Sequence, residues 1–214
     1  MNIMKLNVLK FSAALLLSAS MIIACNDENT ASDGEEGMDR MEDSAAHDNR
    51  AVATISGTVA DTVVNGTVIF EALDNGKVRM SLKLNVPSKA NSSVAVHIHE
   101  HGNCGDMGNH AGGHWNPTGT DHGKWGEGSF HSGDIGNINL DASGNGEIEL
   151  ESDLWSVGGD AKTDVLNKTM VVHAGVDDYK SQPAGDSGPR IGCGIITRSG
   201  TTGFAADTQN HADH

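Results

Sequence analysis

The chain has 214 residues, a formal net charge of −15, 4% aromatic residues and 27 glycines. A nucleic-acid-binding protein normally has a basic face, which an acidic total of this size disfavours, so we expect no nucleic-acid partner. Few aromatic side chains and many glycines disfavour a helical bundle with large core residues. They favour one domain of short strands joined by turns.

The first segment of the chain is typical of bacterial export. Lys5 and Lys10 precede an apolar run over residues 11–24, which has signal-peptide length and is too short to span a membrane comfortably. The run ends directly before Cys25 and resembles a lipobox, in which the cysteine is lipidated and becomes the new N-terminus. We expect residues 1–24 to be a lipoprotein signal peptide, and the alternative is an ordinary signal peptide followed by a chance cysteine.

The next segment, residues 25–50, is polar and acidic and has almost no large apolar side chains. Such a composition cannot bury a core, so we expect a flexible tether between the lipid at Cys25 and a folded domain. Lipidation of Cys25 leaves two cysteines, Cys104 and Cys193, and two cysteines of an exported protein are expected to pair. The loop that they close is long, so the entropy model allows a stabilisation of up to about 4–5 kcal/mol.

From residue 51 onward the hydrophobic pattern has a period of two, which predicts β-strands. Two alternating runs, 66–73 and 77–86, flank Asn75-Gly76 and predict a β-hairpin. One face of the second run should be buried, since it carries every apolar side chain of that run: Val78, Met80, Leu82, Leu84 and Val86.

Further alternating runs bring the total to about eight strands, with no long helical pattern: 51–60, 94–101, 135–140, 146–151, 169–175 and 191–198. The sequence therefore predicts an all-β domain over residues 51–198, built as an antiparallel sandwich or barrel. Residues 199–214 are predicted to be a disordered tail. Residues 102–133 and 177–189 are glycine-rich and polar, and long loops of this kind in a compact β domain often carry function.

Histidines collect where the predicted strands meet these loops. His97 and His99 are two residues apart on a strand, so their side chains point to one face and could share a metal ion. This spacing alone is a weak signal, because a solvent-exposed pair shows it too. His173 lies in an apolar strand, where a single histidine is more often a hydrogen-bonded core residue.

Three histidines and one carboxylate follow within about twenty residues of loop. This donor set matches a closed tetrahedral zinc site: His114, His122, His131 and Asp134. The alternative is a histidine-rich polar loop that binds nothing specific.

Taken together, these segments resemble the copper/zinc superoxide dismutase family. The similarity spans about residues 51–198 and rests on five motifs in order: HIHEHGNC (97–104), GHWNPTGTDH (113–122), HSGDIGN (131–137), VVHAGVDD (171–178) and GPRIGCG (188–194). The resemblance implies an eight-stranded Greek-key barrel or sandwich with two long functional loops. It also implies an enzyme that converts superoxide to oxygen and hydrogen peroxide by Cu(II)/Cu(I) cycling.

The resemblance implies two sets of metal ligands that share His114 as a bridge. The implied copper ligands are His97, His99, His114 and His173. The implied zinc ligands are His114, His122, His131 and Asp134.

The resemblance also assigns four supporting residues. Asp177 matches the carboxylate that links a copper-ligand histidine to a zinc-ligand histidine, here His97 and His122. Cys104 and Cys193 match an intrachain disulfide. Arg190 matches the arginine beside the copper channel and, with His114 as proton carrier, is an implied catalytic residue.

The implied substrate is an anion, whereas the chain is strongly acidic. The local field of Arg190 can outweigh the net charge within a screening length of roughly 10 Å. The segment before Arg190 carries Lys180 but also Asp177, Asp178 and Asp186, so the family's charged guiding pattern is not evident. We expect steering of superoxide to depend mainly on Arg190.

The main alternative is a non-catalytic copper- and zinc-binding envelope lipoprotein, which the complete ligand set and Arg190 disfavour. A copper-only enzyme would not need His122, His131 and Asp134, and an adhesive sandwich would need none of these ligands. We expect a bacterial cell-envelope protein, held at a membrane through Cys25 and facing the periplasm or the cell surface. Monomer and homodimer both stay open. So does the role of three spare residues near Cys104, for which copper capture is one option: His101, His110 and Met107.

Overall fold

The computed structural model describes residues 49–200. Nine strands form one antiparallel sheet: β1 (Arg50–Gly57), β2 (Asn65–Ala72), β3 (Val78–Asn85), β4 (Ser93–His99), β5 (Gly136–Asn139), β6 (Asn145–Ser152), β7 (Thr169–His173), β8 (Arg190–Ile195) and β9 (Thr197–Arg198). The helices within residues 49–200 are two short 3-10 turns, Pro87–Lys89 and Asn109–Ala111, and none there is long and apolar enough to cross a bilayer. The predicted signal peptide, Cys25, most of the tether and residues 201–214 lie outside the described residues.

The sheet closes almost completely into a barrel. Its strand order is β5-β4-β7-β8-β1-β2-β3-β6, with β9 paired to β1. Strands β3 and β6 are neighbours, and so are β4 and β7, which produces the crossovers of a Greek key. The two terminal strands meet where Gly146 on β6 lies against Ile138 on β5, whose Cγ2 would be 2.6 Å from an added Cβ. The predicted all-β antiparallel barrel is confirmed.

The predicted hairpin is formed by β2 and β3. The two strands pair from Asn65 opposite Asn85 to Ala72 opposite Val78. Gly76 in the turn has φ +79°, a conformation that glycine adopts without strain. The predicted buried face is confirmed, since all five of its apolar side chains are buried in the core: Val78, Met80, Leu82, Leu84 and Val86.

Strand boundaries differ from the predictions near the first and the last residue of the predicted domain. Strand β1 begins at Arg50, which the sequence assigned to the tether, and the carbonyl of Arg50 accepts from Ser199 N–H at 2.8 Å. The predicted strand 191–198 is interrupted at Ile196, which separates β8 from β9, and the Ile196 N–H donates to the carbonyl of Lys168 at 2.9 Å, just before β7. This interruption is why nine strands are found and not eight.

The core side chains also fix the 102–133 loop to the barrel. Trp155 is buried, and its ring meets that of Phe70 edge-on, with centroids 5.7 Å apart. Its Nε1–H donates to the carbonyl of Ser132 at 2.9 Å, close to the end of the loop. The ring of Trp125 also contacts that of Trp155, with centroids 4.8 Å apart and the rings tilted by 32°, so this loop packs on an aromatic cluster continuous with the core.

Candidate metal centre

Strand pairing places the first group of histidines. In the ladder of β4 and β7, His97 lies opposite Val171, and His173 ends β7 nearby. A short β-bridge then sets His114 opposite His99. One nitrogen from each of these residues lies within 4.8 Å of the others, which defines the first cluster: His97, His99, His114 and His173.

A second cluster shares one residue with the first. Its four potential ligand atoms also lie within 4.8 Å of one another, and it consists of His114, His122, His131 and Asp134. The carboxylate of Asp134 is central, since its Oδ1 is 2.8 Å from Nδ1 of His114 and 3.1 Å from Nδ1 of His131. Its Oδ2 lies 3.0 Å from Nδ1 of His122. Every member of both clusters is buried.

Asp177 connects the two clusters, because its carboxylate contacts one histidine of each. Its Oδ2 lies 2.8 Å from Nε2 of His97, and its Oδ1 lies 3.0 Å from Nε2 of His122. The pKa of Asp177 lies well below its usual range because, although burial opposes ionisation, the hydrogen bonds from His122 and His97 favour the carboxylate. An ionised carboxylate only accepts hydrogen bonds, so both rings carry their proton on Nε2 and turn Nδ1 towards the clusters.

Burial keeps the first cluster neutral. It lowers the pKa of His97 to about 3 and that of His173 to about 4. It also lowers the pKa of His99 well below the ordinary value, and it lowers the pKa of His114. Neutral imidazoles each carry a nitrogen lone pair, so at neutral pH these rings are competent metal ligands.

The second cluster attracts positive charge. Burial would lower the pKa of His122, but the carboxylates of Asp134 and Asp177 outweigh it and raise that pKa to about 9. Burial likewise opposes ionisation of Asp134, yet the hydrogen bonds from His114 and His131 and the close approach of the His122 ring hold its pKa far below the usual range. A buried anion ringed by three histidines is a place where a cation is stabilised.

Unsatisfied buried nitrogens show that the residues fit metal ions. Three imidazole nitrogens are buried and make no hydrogen bond to the described part of the chain: Nδ1 of His97, Nε2 of His114 and Nδ1 of His122. For His122, the 3.0 Å approach of Asp134 lacks hydrogen-bonding geometry. Buried polar atoms without partners are costly and rare, and these three all belong to the clusters.

The remaining two rings of the first cluster give a second test of fit. Nδ1 of His99 lies 2.9 Å from the carbonyl of Gly112, and Nδ1 of His173 lies 3.1 Å from that of Gly188. A carbonyl accepts only, so each ring carries its proton on Nδ1. The two Nε2 lone pairs then face each other at 3.3 Å, an arrangement that a shared cation stabilises. Imidazole nitrogens suit both copper and zinc, and the three-histidine, one-aspartate set suits tetrahedral zinc.

Arg190 lies at the start of β8, close to His99 of the first cluster. Its Nη1 donates to the carbonyls of Gly108 at 2.5 Å and Asn109 at 3.3 Å, and its Nη2 donates to that of Gly112 at 2.6 Å. Partial burial lowers the pKa of Arg190, but an arginine stays charged at neutral pH. Within residues 49–200 its partners are carbonyl groups and not a carboxylate, so no neighbouring negative charge there neutralises the guanidinium.

A disulfide links β8 to the 102–133 loop, whose carbonyl groups bind Arg190. Cys104 and Cys193 are bonded, with Cα atoms 5.8 Å apart and a sequence separation of 89 residues. The predicted pairing is confirmed. The three spare residues of this loop join neither metal cluster: His101 is exposed and lies 3.5 Å from Glu100, Met107 is exposed, and His110 packs against Gly105.

Two carboxamide side chains that support the site were missed by the sequence analysis. Asn137 accepts from Asp177 N–H at 2.8 Å and donates to the Asp177 carbonyl at 2.9 Å. Gln182 makes the same pair of bonds to the backbone of His122. No periodic pattern marks their role, because Asn137 lies inside the predicted strand 135–140 and Gln182 in the 177–189 loop, and their partners are 40 and 60 residues away.

Comparison with known proteins agrees with this geometry. Residues 64–196 match the family model for copper/zinc superoxide dismutase. The chain belongs to the copper/zinc superoxide dismutase family. A Cu-Zn superoxide dismutase of Talaromyces marneffei is 36% identical over 154 residues, which cover 69% of this chain and 96% of that protein. A bacterial one, from Aquifex aeolicus, is 38% identical over 120 residues, 54% of this chain and 70% of that protein.

A solved structure described as the clock protein EA4 has a TM-score of 0.61 and 28% sequence identity, and the match covers 70% of this chain and 94% of that one. Family membership makes the protein an oxidoreductase that disproportionates superoxide, with copper and zinc as its cofactors. The two histidine clusters are the part of the described structure that could hold those ions.

Proposed function

We propose that the first cluster holds copper, that the second cluster holds zinc, and that the enzyme works at the bacterial cell envelope as a lipid-anchored dismutase. The copper ligands are then His97, His99, His114 and His173, and the zinc ligands are His114, His122, His131 and Asp134. The observation that carries this assignment is the shared residue. His114 turns Nδ1 towards Asp134 and leaves Nε2 buried and unbonded beside the other three histidines of the first cluster.

Bound copper supplies the one-electron chemistry of dismutation, and zinc keeps one oxidation state and only shapes and polarises the site. The protein's own residues have three tasks. His97, His99 and His173 stay neutral and are fixed in one tautomer by Asp177 and by backbone carbonyls. His114 can hold a proton at Nε2 and release it, which is what formation of hydrogen peroxide requires.

Arg190 has the third task, which is to attract the anionic substrate. Its guanidinium is held by the same Gly112 carbonyl that accepts from His99. This shared carbonyl fixes the positive charge next to the first cluster. Superoxide is therefore drawn to the ligands that hold the redox metal.

The location rests on the sequence before the described residues. The positive n-region, the apolar run 11–24 and the adjacent Cys25 support export and lipidation, and residues 25–50 support a tether. An envelope dismutase would remove superoxide that reaches the periplasm or the cell surface. Radiolabelled palmitate in a bacterial host should label the wild type and not Cys25→Ser. Labelling of both proteins, or of neither, would contradict the anchor.

Catalysis and its bridging ligand are tested together. Purified mature protein, loaded with copper and zinc, should accelerate superoxide decay, and His114→Ala should lose most of that rate. The matched control is His101→Ala, which removes an exposed histidine outside both clusters and should keep the rate. If the wild type binds both metals while superoxide decays at the uncatalysed rate, the protein is the non-catalytic metal-binding lipoprotein instead. Sedimentation of the same sample decides between monomer and homodimer.

A further inference from the structure

The residues of the second cluster are not all held by the backbone in the same way. His114 is fixed by its β-bridge to His99. His131 and Asp134 share a turn, in which Asp134 N–H donates to the carbonyl of His131 at 3.1 Å. His122 lies in an irregular part of the 102–133 loop, and within residues 49–200 its N–H and carbonyl make no bond to other backbone groups. Something other than secondary structure must hold it.

One side chain pairs with both the N–H and the carbonyl of His122, while the adjoining Gly123 N–H donates to Oδ2 of Asp134 at 3.1 Å. His122 N–H donates to Oε1 of Gln182 at 2.9 Å, and Nε2 of Gln182 donates to the His122 carbonyl at 2.9 Å. A carboxamide offers a donor and an acceptor side by side, as a neighbouring strand would. Gln182 therefore provides, from the 177–189 loop, the pairing that an irregular segment lacks.

The same loop also packs on the ring of His122. Asp177 accepts from its Nε2 at 3.0 Å. Gly185 lies against this bond so closely that an added Cβ would be 2.6 Å from Nε2 of His122 and would overlap Oδ1 of Asp177. Gly185 N–H donates to the carbonyl of Ser181 at 2.7 Å, which closes the turn that presents Gln182. The 177–189 loop thus binds both the backbone and the ring of His122.

We propose that Gln182 is a positioning residue for the zinc site, whose paired hydrogen bonds to the His122 backbone keep Nδ1 of that ring aimed into the second cluster. This inference rests on the proposed role of His122 as a zinc ligand. Without Gln182, the ring keeps its bond to Asp177, but its backbone can shift. Zinc affinity should then fall, at the lower end of the 10- to 100-fold loss usual for residues that orient a metal ligand.

The test compares four variants of the mature protein. Gln182→Ala removes both bonds. Gln182→Glu keeps the acceptor for His122 N–H but sets a carboxylate oxygen against the His122 carbonyl. Asn75→Ala is the matched control, because it removes an amide that accepts from Lys77 N–H in the remote β2–β3 turn. His122→Ala tests the ligand itself.

Two readouts are needed besides activity. Zinc dissociation constants are measured by competition with a chromogenic chelator, and cobalt(II) loaded in place of zinc reports ligand geometry through its visible absorption. We expect about tenfold weaker zinc binding and an altered cobalt spectrum for Gln182→Ala, a smaller loss for Gln182→Glu, and no change for Asn75→Ala. Unfolding of the metal-free proteins checks that each variant folds.

The outcomes separate the two proposals. If His122→Ala loses zinc while both Gln182 variants bind it within twofold of the wild type with an unchanged cobalt spectrum, the positioning role is wrong and the ligand assignment stands. If His122→Ala itself binds zinc normally, the ligand assignment is wrong. Should Gln182→Ala fail to fold, the same comparison with Gln182→Glu decides.

Discussion

Arg190 combines a permanent positive charge with a position fixed by backbone carbonyls. Three carbonyl groups of the 102–133 loop accept its hydrogen bonds, and one of them also accepts from His99. Carbonyl partners neutralise none of its charge, whereas a carboxylate partner would. The charge is therefore available to an approaching anion.

Replacing Arg190 with alanine should lower kcat/KM for superoxide by about 10- to 100-fold, because local positive charge raises the encounter rate of an anion. Arg190→Lys keeps the charge but cannot bind the carbonyl groups with the same forked geometry, so its kcat/KM should lie between those of the wild type and Arg190→Ala. The rates are measured by pulse radiolysis on proteins with equal metal content. An alanine variant with the wild-type rate would show that Arg190 does not guide the substrate.

Asp177 acts on two rings at once, and its charge makes this possible. Asp177→Asn should weaken zinc binding by roughly 10- to 100-fold, since an amide can accept from one imidazole N–H but must turn an NH2 donor towards the other. The control is Asp186→Asn, which removes the same charge from an exposed position of the same loop. Chelator competition measures the zinc affinity of both variants. Equal losses of affinity would mean that the charge of the loop, and not the position of Asp177, determines zinc binding.

Among the elements, the β5–β6 connection shows how a turn is stabilised by one carboxylate. Oδ1 of Asp141 accepts from Ser143 N–H and from Asn145 N–H, each at 2.8 Å. The hydrogen bonds from Asn145 and Ser143 lower the pKa of Asp141 below its ordinary value. A lowered pKa in the folded state means that the ionised form stabilises the fold at neutral pH.

This contribution should be lost in acid. It is present above the unfolded-state pKa of about 3.9 and disappears as the pH falls through the lower folded-state pKa. Asp141→Asn can keep the two bonds to Oδ1 without titrating, so the wild type should be the more stable protein at pH 7, with the gap closing towards pH 3. Urea unfolding of the metal-free proteins measures the gap, and a gap that does not change with pH would contradict the expectation.

The disulfide links β8 to the loop that carries the Arg190 partners. Replacing Cys104 and Cys193 with alanine should lower the free energy of unfolding by up to about 4–5 kcal/mol, because the bond closes a long loop in the unfolded chain. Urea unfolding of the metal-free double variant and wild type gives the difference. A loss below about 1 kcal/mol would show that residual structure already restricts the unfolded chain.

The elements that the sequence could predict are those with a repeating pattern. Alternation located the strands and the buried face of β3, since a half-buried strand must alternate. Strand ends were less certain because they depend on distant partners, such as the Ser199 N–H that donates to the carbonyl of Arg50 at the start of β1. The residues of the two clusters were predicted through family motifs, whereas no pattern reveals which backbone groups Gln182 and Asn137 reach.

At the scale of the whole molecule, two fields of opposite sign act on superoxide. The net charge is −15, and it would become −17 on the proposed removal of residues 1–24, since these hold two lysines and no acidic residue. This field repels the anion, and it extends over about 30 Å at 0.01 M salt but only about 10 Å at 0.1 M. Arg190 attracts the anion over a shorter distance.

Added salt should therefore affect the wild type and Arg190→Ala differently. Salt screens repulsion and attraction together in the wild type, so the two changes partly cancel. In Arg190→Ala, mainly the repulsion remains, and kcat/KM should rise more steeply with ionic strength. Measuring both proteins between 0.01 and about 0.2 M salt compares the slopes, with His101→Ala as a control that leaves Arg190 in place. Parallel slopes would mean that the field at the site is set by the net charge and that Arg190 contributes no steering.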